Sequence, residues 1–250
     1  MHSGDILEPK IQSLEGFGQI YTFDTIDSTQ IFTRQYAAEL PSPCAVTARQ
    51  QTRGHGRKNR AWRSPLGCLC FSQLATVTPQ VKDVLFCLSP MICVSIVKYL
   101  RTLPNSCDIS VKWPNDIYVN RQKLCGLLAD AISCGNEVMV VVGVGINVSN
   151  RDDPPGSACL ESVLGTKINM AELLATLVKL IDDLLRAPMS VEDLVAQNSD
   201  LMCESFFTLP NDETMYRVVK LTRDGGVVTQ VGQVGRDKLH DAEWHFDDDT

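Results

Sequence analysis

Two clusters of residue types in this chain are suited to holding an anion. The first is the run Gln50-Gln51-Thr52-Arg53-Gly54-His55-Gly56-Arg57-Lys58-Asn59-Arg60-Ala61-Trp62-Arg63. It lies in an interval, residues 40–82, that has no Asp or Glu and carries Arg49, Arg53, Arg57, Lys58, Arg60, Arg63 and Lys82, in a chain of formal net charge -7. A concentrated positive loop on an acidic chain points to a local anion, because a surface for extended polyanions would be basic overall. Gly54 and Gly56 let the backbone turn and approach a ligand, and their N–H groups can line a phosphate-binding concavity. A plain solvated basic loop is the competing reading. The second cluster is Val111-Lys112-Trp113-Pro114-Asn115-Asp116, followed by Lys123-Leu124-Cys125-Gly126. Lys112 and Lys123 stand on elements joined by a short turn, so both ammonium groups can reach one site. Paired cations beside a carboxylate, opposite a basic glycine loop, suit charge stabilisation during phosphoryl transfer. The same block also reads as a simple turn cornered by Pro114 and Asn115.

The elements that must position these residues follow from local pattern. A strand is predicted over 19–23, ending at Asp27-Ser28-Thr29, whose side chains can cap a helix running through Ile31, Phe32, Tyr36 and Leu40. Pro41 and Pro43 stop it. Strands over 44–48 and 69–75 lead into and out of the basic loop. Residues 84–100 are apolar on most faces and read as a buried helix covering a sheet. A strand over 109–113 stops where Pro114 forces extended geometry on its neighbour. Hairpin partners follow at 117–119 and 124–132. The β-branched run 137–148, containing Gly143-Val144-Gly145-Ile146-Asn147, reads as a central strand buried on both faces, with Gly143 and Gly145 packing it closely. Helices are predicted over 170–186, with Asn169 and Glu172 resembling a capping box, and over 191–206. Short β-rich runs at 216–221 and 227–231, separated by Asp224-Gly225-Gly226, read as a hairpin-based module, and the acidic tail 247–249 as frayed.

Composition narrows the class. A chain of 250 residues with 44% hydrophobic content can hold one sizeable core plus a small appendage. The apolar run at 138–144 is far too short to span a bilayer, and no membrane association is predicted. Residues 1–18 lack both a signal-peptide core and an Arg-rich transit pattern, so the expected location is cytoplasmic. The ten cysteines include no Cys-x-x-Cys pair and the four histidines are scattered, which disfavours zinc and suits buried thiols in a reducing compartment.

Taken in order, Asp27-Ser28-Thr29, the loop 51–62, Lys112-Trp113-Pro114-Asn115-Asp116, Lys123-Leu124-Cys125-Gly126 and Gly143-Val144-Gly145-Ile146-Asn147 resemble the biotin protein ligase family, also called holocarboxylase synthetases. The resemblance covers roughly residues 20–250. Its most specific part is the Lys-Trp-Pro-Asn-Asp block with a lysine seven residues beyond its Asp. It implies ATP-dependent activation of biotin to biotinyl-5′-AMP, then transfer to the acceptor lysine of biotin carboxyl carrier domains of carboxylases. It implies magnesium, entering with ATP. Carried over by position, Ser28, Thr29, Gln30, Gln51, Gly54, His55, Gly56, Arg57 and Lys123 would hold biotin. Arg57, Arg60, Trp62, Lys112, Asn115 and Asn147 would hold the nucleotide, with Trp62 stacked on adenine. Lys123 and Arg57 would be catalytic, and Asp116 would help hold magnesium or orient a lysine. Bland roles stay open beside these: Ser28 and Thr29 as caps only, Trp62 as a core aromatic.

The resemblance also implies an α/β (α+β) architecture: a mixed sheet covered by helices, like the catalytic domain of class II aminoacyl-tRNA synthetases, plus a small C-terminal Src-homology-like β-barrel. The expected division is an N-terminal extension at 1–18, loosely ordered, a catalytic domain at 19–205 and a small β domain at 206–250. So short an extension leaves no room for the DNA-binding domain of some family members, and no repressor function is predicted. Three positions depart from the family pattern. His55 stands where Arg or Lys is usual, and histidine offers an anion less charge near neutral pH. Asn59 replaces a frequent glycine and Gln30 a common Asn. Two rivals stand beside this reading. A lipoate or octanoate protein ligase shares the fold but typically has an Arg-Arg-x-Ser-Gly-Gly-Gly loop in place of Arg53-Gly54-His55-Gly56-Arg57. A non-catalytic anion- or RNA-binding module would need more aromatics among the cations than Trp62.

Overall fold

A computed structural model describes residues 8–245 except 107, 136, 150–155, 189, 202–205, 213, 215, 223–225 and 240–241. The acidic tail and part of the turn at 224–226 therefore lie outside the described residues. In chain order the elements are β1 Lys10–Leu14, β2 Gly18–Ile26, α1 Thr29–Gln35, β3 Cys44–Gln51, β4 Cys68–Thr76, α2 Pro79–Val84, α3 Leu88–Arg101, β5 Ile109–Lys112, β6 Asp116–Val119, β7 Gln122–Cys134, β8 Glu137–Asn147, α4 Leu160–Leu164, α5 Met170–Arg186 and α6 Val191–Leu201. They are followed by β9 Phe206–Thr208, β10 Tyr216–Leu221, β11 Val227–Thr229, β12 Gly232–Val234, α7 Arg236–Leu239 and β13 Glu243–His245.

Eight strands form one mixed sheet in the order β1-β2-β3-β4-β8-β7-β6-β5, antiparallel throughout except for the parallel pair β2–β3. That parallel pair needs a crossover, and α1 supplies it. The run at 137–148 is indeed an inner strand, with β4 and β7 on its two sides. One face of the sheet is covered by α3 and α5, whose side chains join Leu69, Phe71, Val142, Val144 and Ile146 in the main apolar core. On α3, Met91, Ile92, Cys93, Val94, Ile96, Val97 and Leu100 are all fully buried. Each such side chain contributes roughly 1.5–3 kcal/mol of burial. Helix α5 occupies the predicted span, and its cap Asn169 accepts from the Ala171 and Glu172 N–H groups. Among the described helices α1 packs on the opposite face, against β3, β4 and β8, and a concavity lies beside it.

Four expectations are corrected. The extension at 1–18 is not loose where it is described: Lys10–Leu14 pairs with β2 as an edge strand, held by backbone bonds that need no apolar alternation. Helix α1 ends at Gln35, short of Leu40. The buried helix begins at Leu88, because Val84 leaves helical geometry between α2 and a 3-10 turn at Leu85–Cys87. The strand β5 ends at Lys112, and Trp113 joins Pro114 through a cis peptide bond. Downstream, α6 spans Val191–Leu201, Phe206 belongs to β9 rather than to the predicted helix, and five short strands pair antiparallel in the order β12-β11-β10-β9-β13. No helix among the described residues is long and apolar enough to cross a membrane.

Candidate active site

The concavity beside α1 is a cavity of about 300 Å³, and nearly every residue singled out by sequence reaches it. Its floor is built by strand register. Cys70 and Ser72 on β4 lie opposite Gly145 and Gly143 on β8, and these lie opposite Gly126 and Leu128 on β7. Alternation puts one face of each strand toward the cavity and the other toward the core. The glycines leave room above the sheet. A Cβ on Gly145 would land on the Trp62 indole, and one on Gly143 would come within 2.5 Å of the Gln30 amide oxygen. Their role is thus close approach of side chains from opposite walls.

One wall is the start of α1. Ser28, Thr29 and Gln30 are buried, and all three line the cavity. The Ser28 Oγ accepts from the Ile31 N–H at 3.4 Å, so capping and cavity lining coexist at that residue. Gln51, at the end of β3, accepts from the Thr29 N–H at 2.8 Å and hydroxyl at 3.1 Å, and its amide nitrogen donates to the Ser64 hydroxyl at 2.9 Å. This ties the basic loop to the helix start.

The loop folds over the cavity as a small hairpin. Gly56 N donates to the Arg60 carbonyl at 2.8 Å, Trp62 N donates to the Gly54 carbonyl at 2.9 Å, and His55 bridges Ala61. The backbone freedom assigned to the glycines is needed elsewhere: the left-handed residues are Lys58 (φ 54) and Asn59 (φ 55). Asn tolerates that region better than most residues, which accounts for Asn59 in place of glycine. Gly54 is required for space, because a Cβ there would press on the Trp62 carbonyl at 2.6 Å. Gly54 does not line the cavity, whereas His55, Gly56, Arg57, Lys58, Arg60 and Trp62 do.

The far wall is the turn from β5 to β6 with the start of β7. Asn120 and Arg121 both have positive φ, as a tight hairpin turn demands. The register then slips between Ile117↔Cys125 and Tyr118↔Lys123, leaving Leu124 as the extra residue of a bulge. The slip brings Lys123 and Gly126 to the cavity face while Leu124 and Cys125 stay fully buried. Lys123 Nζ lies 2.8 Å from Asp116 Oδ1 and 5.5 Å from the Trp62 ring centroid. The Asn115 amide donates to Asp116 Oδ1 at 3.3 Å and to the Leu127 carbonyl at 2.9 Å, and Arg57 Nη1 donates to Asn115 Oδ1 at 3.1 Å. One continuous chain, Arg57–Asn115–Asp116–Lys123, therefore joins the glycine–arginine loop to the second motif. Buried Lys112 lies 5.1 Å from the Tyr118 ring centroid, and both line the cavity.

Electrostatically the cavity is cationic. Among the described residues, Lys112, Lys123, Arg57, Lys58 and Arg60 line it against one carboxylate, Asp116. Burial lowers the Arg57 guanidinium's pKa; Asp116 opposes this and Arg60 adds to it. A guanidinium is not deprotonated in proteins, so the group remains charged at neutral pH. No cluster of three or more His, Cys, Asp or Glu suited to a metal exists among the described residues. Asp116 is paired with Lys123.

Asn147 is placed differently from the residues above. It does not line the cavity; its amide donates to the Lys123 carbonyl at 3.3 Å and the Ala158 carbonyl at 3.2 Å. Its place is behind Lys123, fixing that residue's backbone. Sequence reasoning missed Ser72, Tyr118, Leu128 and Ala242 as lining residues. Period-2 alternation from Cys70 would have reached Ser72, but no local signal marks Ala242. It arrives because Trp113, 5% exposed, packs with Val227, Val234, Leu239 and Ala242 in the core of the C-terminal sheet.

Fold and site together define an α/β protein with a lidded, cation-lined cavity on the open face of a mixed sheet. Comparison with known proteins gives the class a family. The sequence pattern of the biotin/lipoate A/B protein ligase family matches residues 22–147, half of the chain. The chain belongs to that family. It is 33% identical over 135 residues to the bifunctional ligase/repressor BirA of Escherichia coli (strain K12), a match covering 54% of this chain and 42% of that protein. To the biotin–[acetyl-CoA-carboxylase] ligase of Paracoccus denitrificans it is 30% identical over 148 residues, covering 56% of this chain and 60% of that protein. The chain thus spans about half the length of the relatives it matches. The biotin protein ligase from Aquifex aeolicus, solved in complex with biotin and ATP, shares the fold at a TM-score of 0.73 and 23% identity, covering 90% of this chain and 98% of that one.

Proposed function

We propose that this protein is an ATP-dependent biotin–protein ligase. The observation that carries the reading is the convergence of Arg57 and Lys123, linked through Asn115 and Asp116, on one cavity whose other end is polar and closed by Thr29, Gln30 and Gln51. A relative named as a biotin–[acetyl-CoA-carboxylase] ligase supplies the chemistry.

In the first step a biotin carboxylate oxygen attacks the α-phosphorus of ATP; the bond to the β-phosphate oxygen breaks and pyrophosphate leaves with its electron pair. Two anions must meet, and charge grows on the phosphoryl oxygens as they do. Lys123, held at the cavity face by Asp116, would bridge the two anions, and Arg57 would approach from the lid. In the second step the ε-amine of a carrier-domain lysine attacks the acyl carbon and AMP leaves. The hairpin lid over the cavity would shield the mixed anhydride from water. Trp62 lies over Gly145 and Gly126 and lines the cavity, where its indole would stack on the adenine.

The described residues do not form a cage for a resident metal, since among them Asp116 alone is acidic and it is paired. Magnesium is read as part of the MgATP substrate, held mainly by phosphates. The β5–β6 turn anchored in the C-terminal sheet supports a Src-homology-like barrel at 206–250 that braces the site, and the class II synthetase-like arrangement at 19–205 is the corresponding reading of the main sheet. A cytoplasmic location fits the buried thiols. Incubation with labelled biotin, MgATP and a biotin carboxyl carrier domain, with lipoate as the parallel substrate, tests the reading. Label should reach the carrier from biotin; label from lipoate alone would transfer the assignment to the lipoate branch.

A further inference from the structure

The polar floor of the cavity contains an imbalance between hydrogen-bond donors and acceptors. Four oxygens stand in a row: Gln30 Oε1, Ser72 Oγ, Thr29 Oγ1 and Gln51 Oε1, separated by 2.9, 2.9 and 3.1 Å. Three contacts link them, but only the two hydroxyls carry protons. Ser72 donates to Gln30, so the single Thr29 proton must serve either Ser72 or Gln51. One contact is left without a proton, and the row can accept one more donor from a ligand.

The imbalance depends on which way the Gln30 amide faces. If it were turned round, its NH2 would donate to Ser72 and make up the shortfall. It is held as it is by acceptors on the other side: Gln30 Nε2 donates to Asp130 Oδ2 at 3.0 Å and to the Val141 carbonyl at 3.1 Å. Asp130 lies on β7, a hundred residues away in sequence, and its same oxygen is 3.1 Å from Arg34 Nη1. Gly143 is part of the arrangement, because a Cβ there would meet the Gln30 oxygen.

We infer that Asp130 is a positioning residue for ligand selection: by fixing the Gln30 amide it keeps the cavity floor one donor short, which favours a ligand carrying a ring N–H. The inference rests on the biotin reading, since a cyclic urea offers that donor and the dithiolane or alkyl chain of lipoate or octanoate does not. Asp130 does not line the cavity and acts through Gln30.

Biotin-dependent ATP–pyrophosphate exchange tests this in Asp130→Ala, Asp130→Asn, Gly143→Ala and Arg34→Ala. Asp130→Ala and Gly143→Ala should raise the biotin KM on the order of five- to tenfold, with kcat and the ATP KM within about twofold of wild type. Asp130→Asn keeps a neutral acceptor for Gln30 and should restore the wild-type KM. Arg34→Ala removes only a half-exposed ion pair and should behave as wild type. Any turnover of octanoate should be the same in wild type, Asp130→Ala, Asp130→Asn and Arg34→Ala. An Asp130→Asn protein as impaired as Asp130→Ala would reassign the role to charge and overturn the inference. So would an unchanged biotin KM in Asp130→Ala or, if that variant fails to fold, in Gly143→Ala. Wild-type protein inert toward biotin would remove the ligase reading and the inference together; active wild type with indifferent variants would remove the inference alone.

Discussion

Replacing Lys123 with alanine removes the ammonium that the bulge in β7 brings to the cavity face. The side chain is 32% exposed and its Nζ is 2.8 Å from Asp116. A unit charge about 4 Å from a developing phosphoryl charge is worth roughly 4 kcal/mol at an effective dielectric near 20. Partial exposure reduces this, and Arg57 and Lys112 remain. A loss of about 3 kcal/mol of transition-state stabilisation, or on the order of a hundredfold in rate, is the expected size. The fold should persist, because Asp116 keeps the Asn115 amide and the backbone of residue 123 stays tied to Gly156 and Ala158. Biotin-dependent ATP–pyrophosphate exchange isolates the first step, and circular dichroism melts check the fold. Lys123→Arg keeps charge but displaces it, so it should fall between wild type and alanine. Near-normal exchange in Lys123→Ala with an intact melt would refute the assignment of that lysine to the phosphoryl-transfer step.

Three further outcomes follow from other parts of the molecule. His55→Arg adds a full charge to a residue that lines the cavity, so the off-rate of biotinyl-AMP, followed by chase with unlabelled ligand, should slow severalfold; an unchanged rate would place that side chain outside the bound ligand's reach. Trp113→Ala should destabilise the protein by about 3–5 kcal/mol in urea melts, because Trp113 joins the core of the C-terminal sheet to the site turn; a loss below about 1 kcal/mol would mean that this core does not depend on Trp113. Burial pushes the Cys44 thiol up to about 12. The folded state therefore favours the neutral thiol, and the stability this contributes is fully present below the ordinary thiol range and is lost as pH rises from near 9 toward 12. The melting temperature should fall over that window, and Cys44→Ala should shallow the fall; equal slopes in the two proteins would contradict it.

Much of the site is legible from residue order alone. Charge density without acids marks the lid, and Lys-Trp-Pro-Asn-Asp with Lys123 marks the opposite wall, because both are contiguous in sequence. Helix α5 and the inner strand β8 are legible for a similar reason: apolar periodicity over eleven or more residues is a local property of the chain. Strand β1 is not, since an exposed edge strand is held by backbone pairing and needs no pattern of its own. The slip at Leu124, the Asn147 amide turned to the back of Lys123, and Ala242 at the rim are equally illegible. So is Asp130, whose partner is set by which residues β7 and α1 bring together across the sheet. The sequence by itself determined what chemistry the chain carries and most of the elements that bear it, because residue type and period act over short stretches. Only the tertiary structure decided which cations share a cavity, which glycines clear it and which way the Gln30 amide faces, because those depend on cross-strand register and on contacts between residues far apart in the chain.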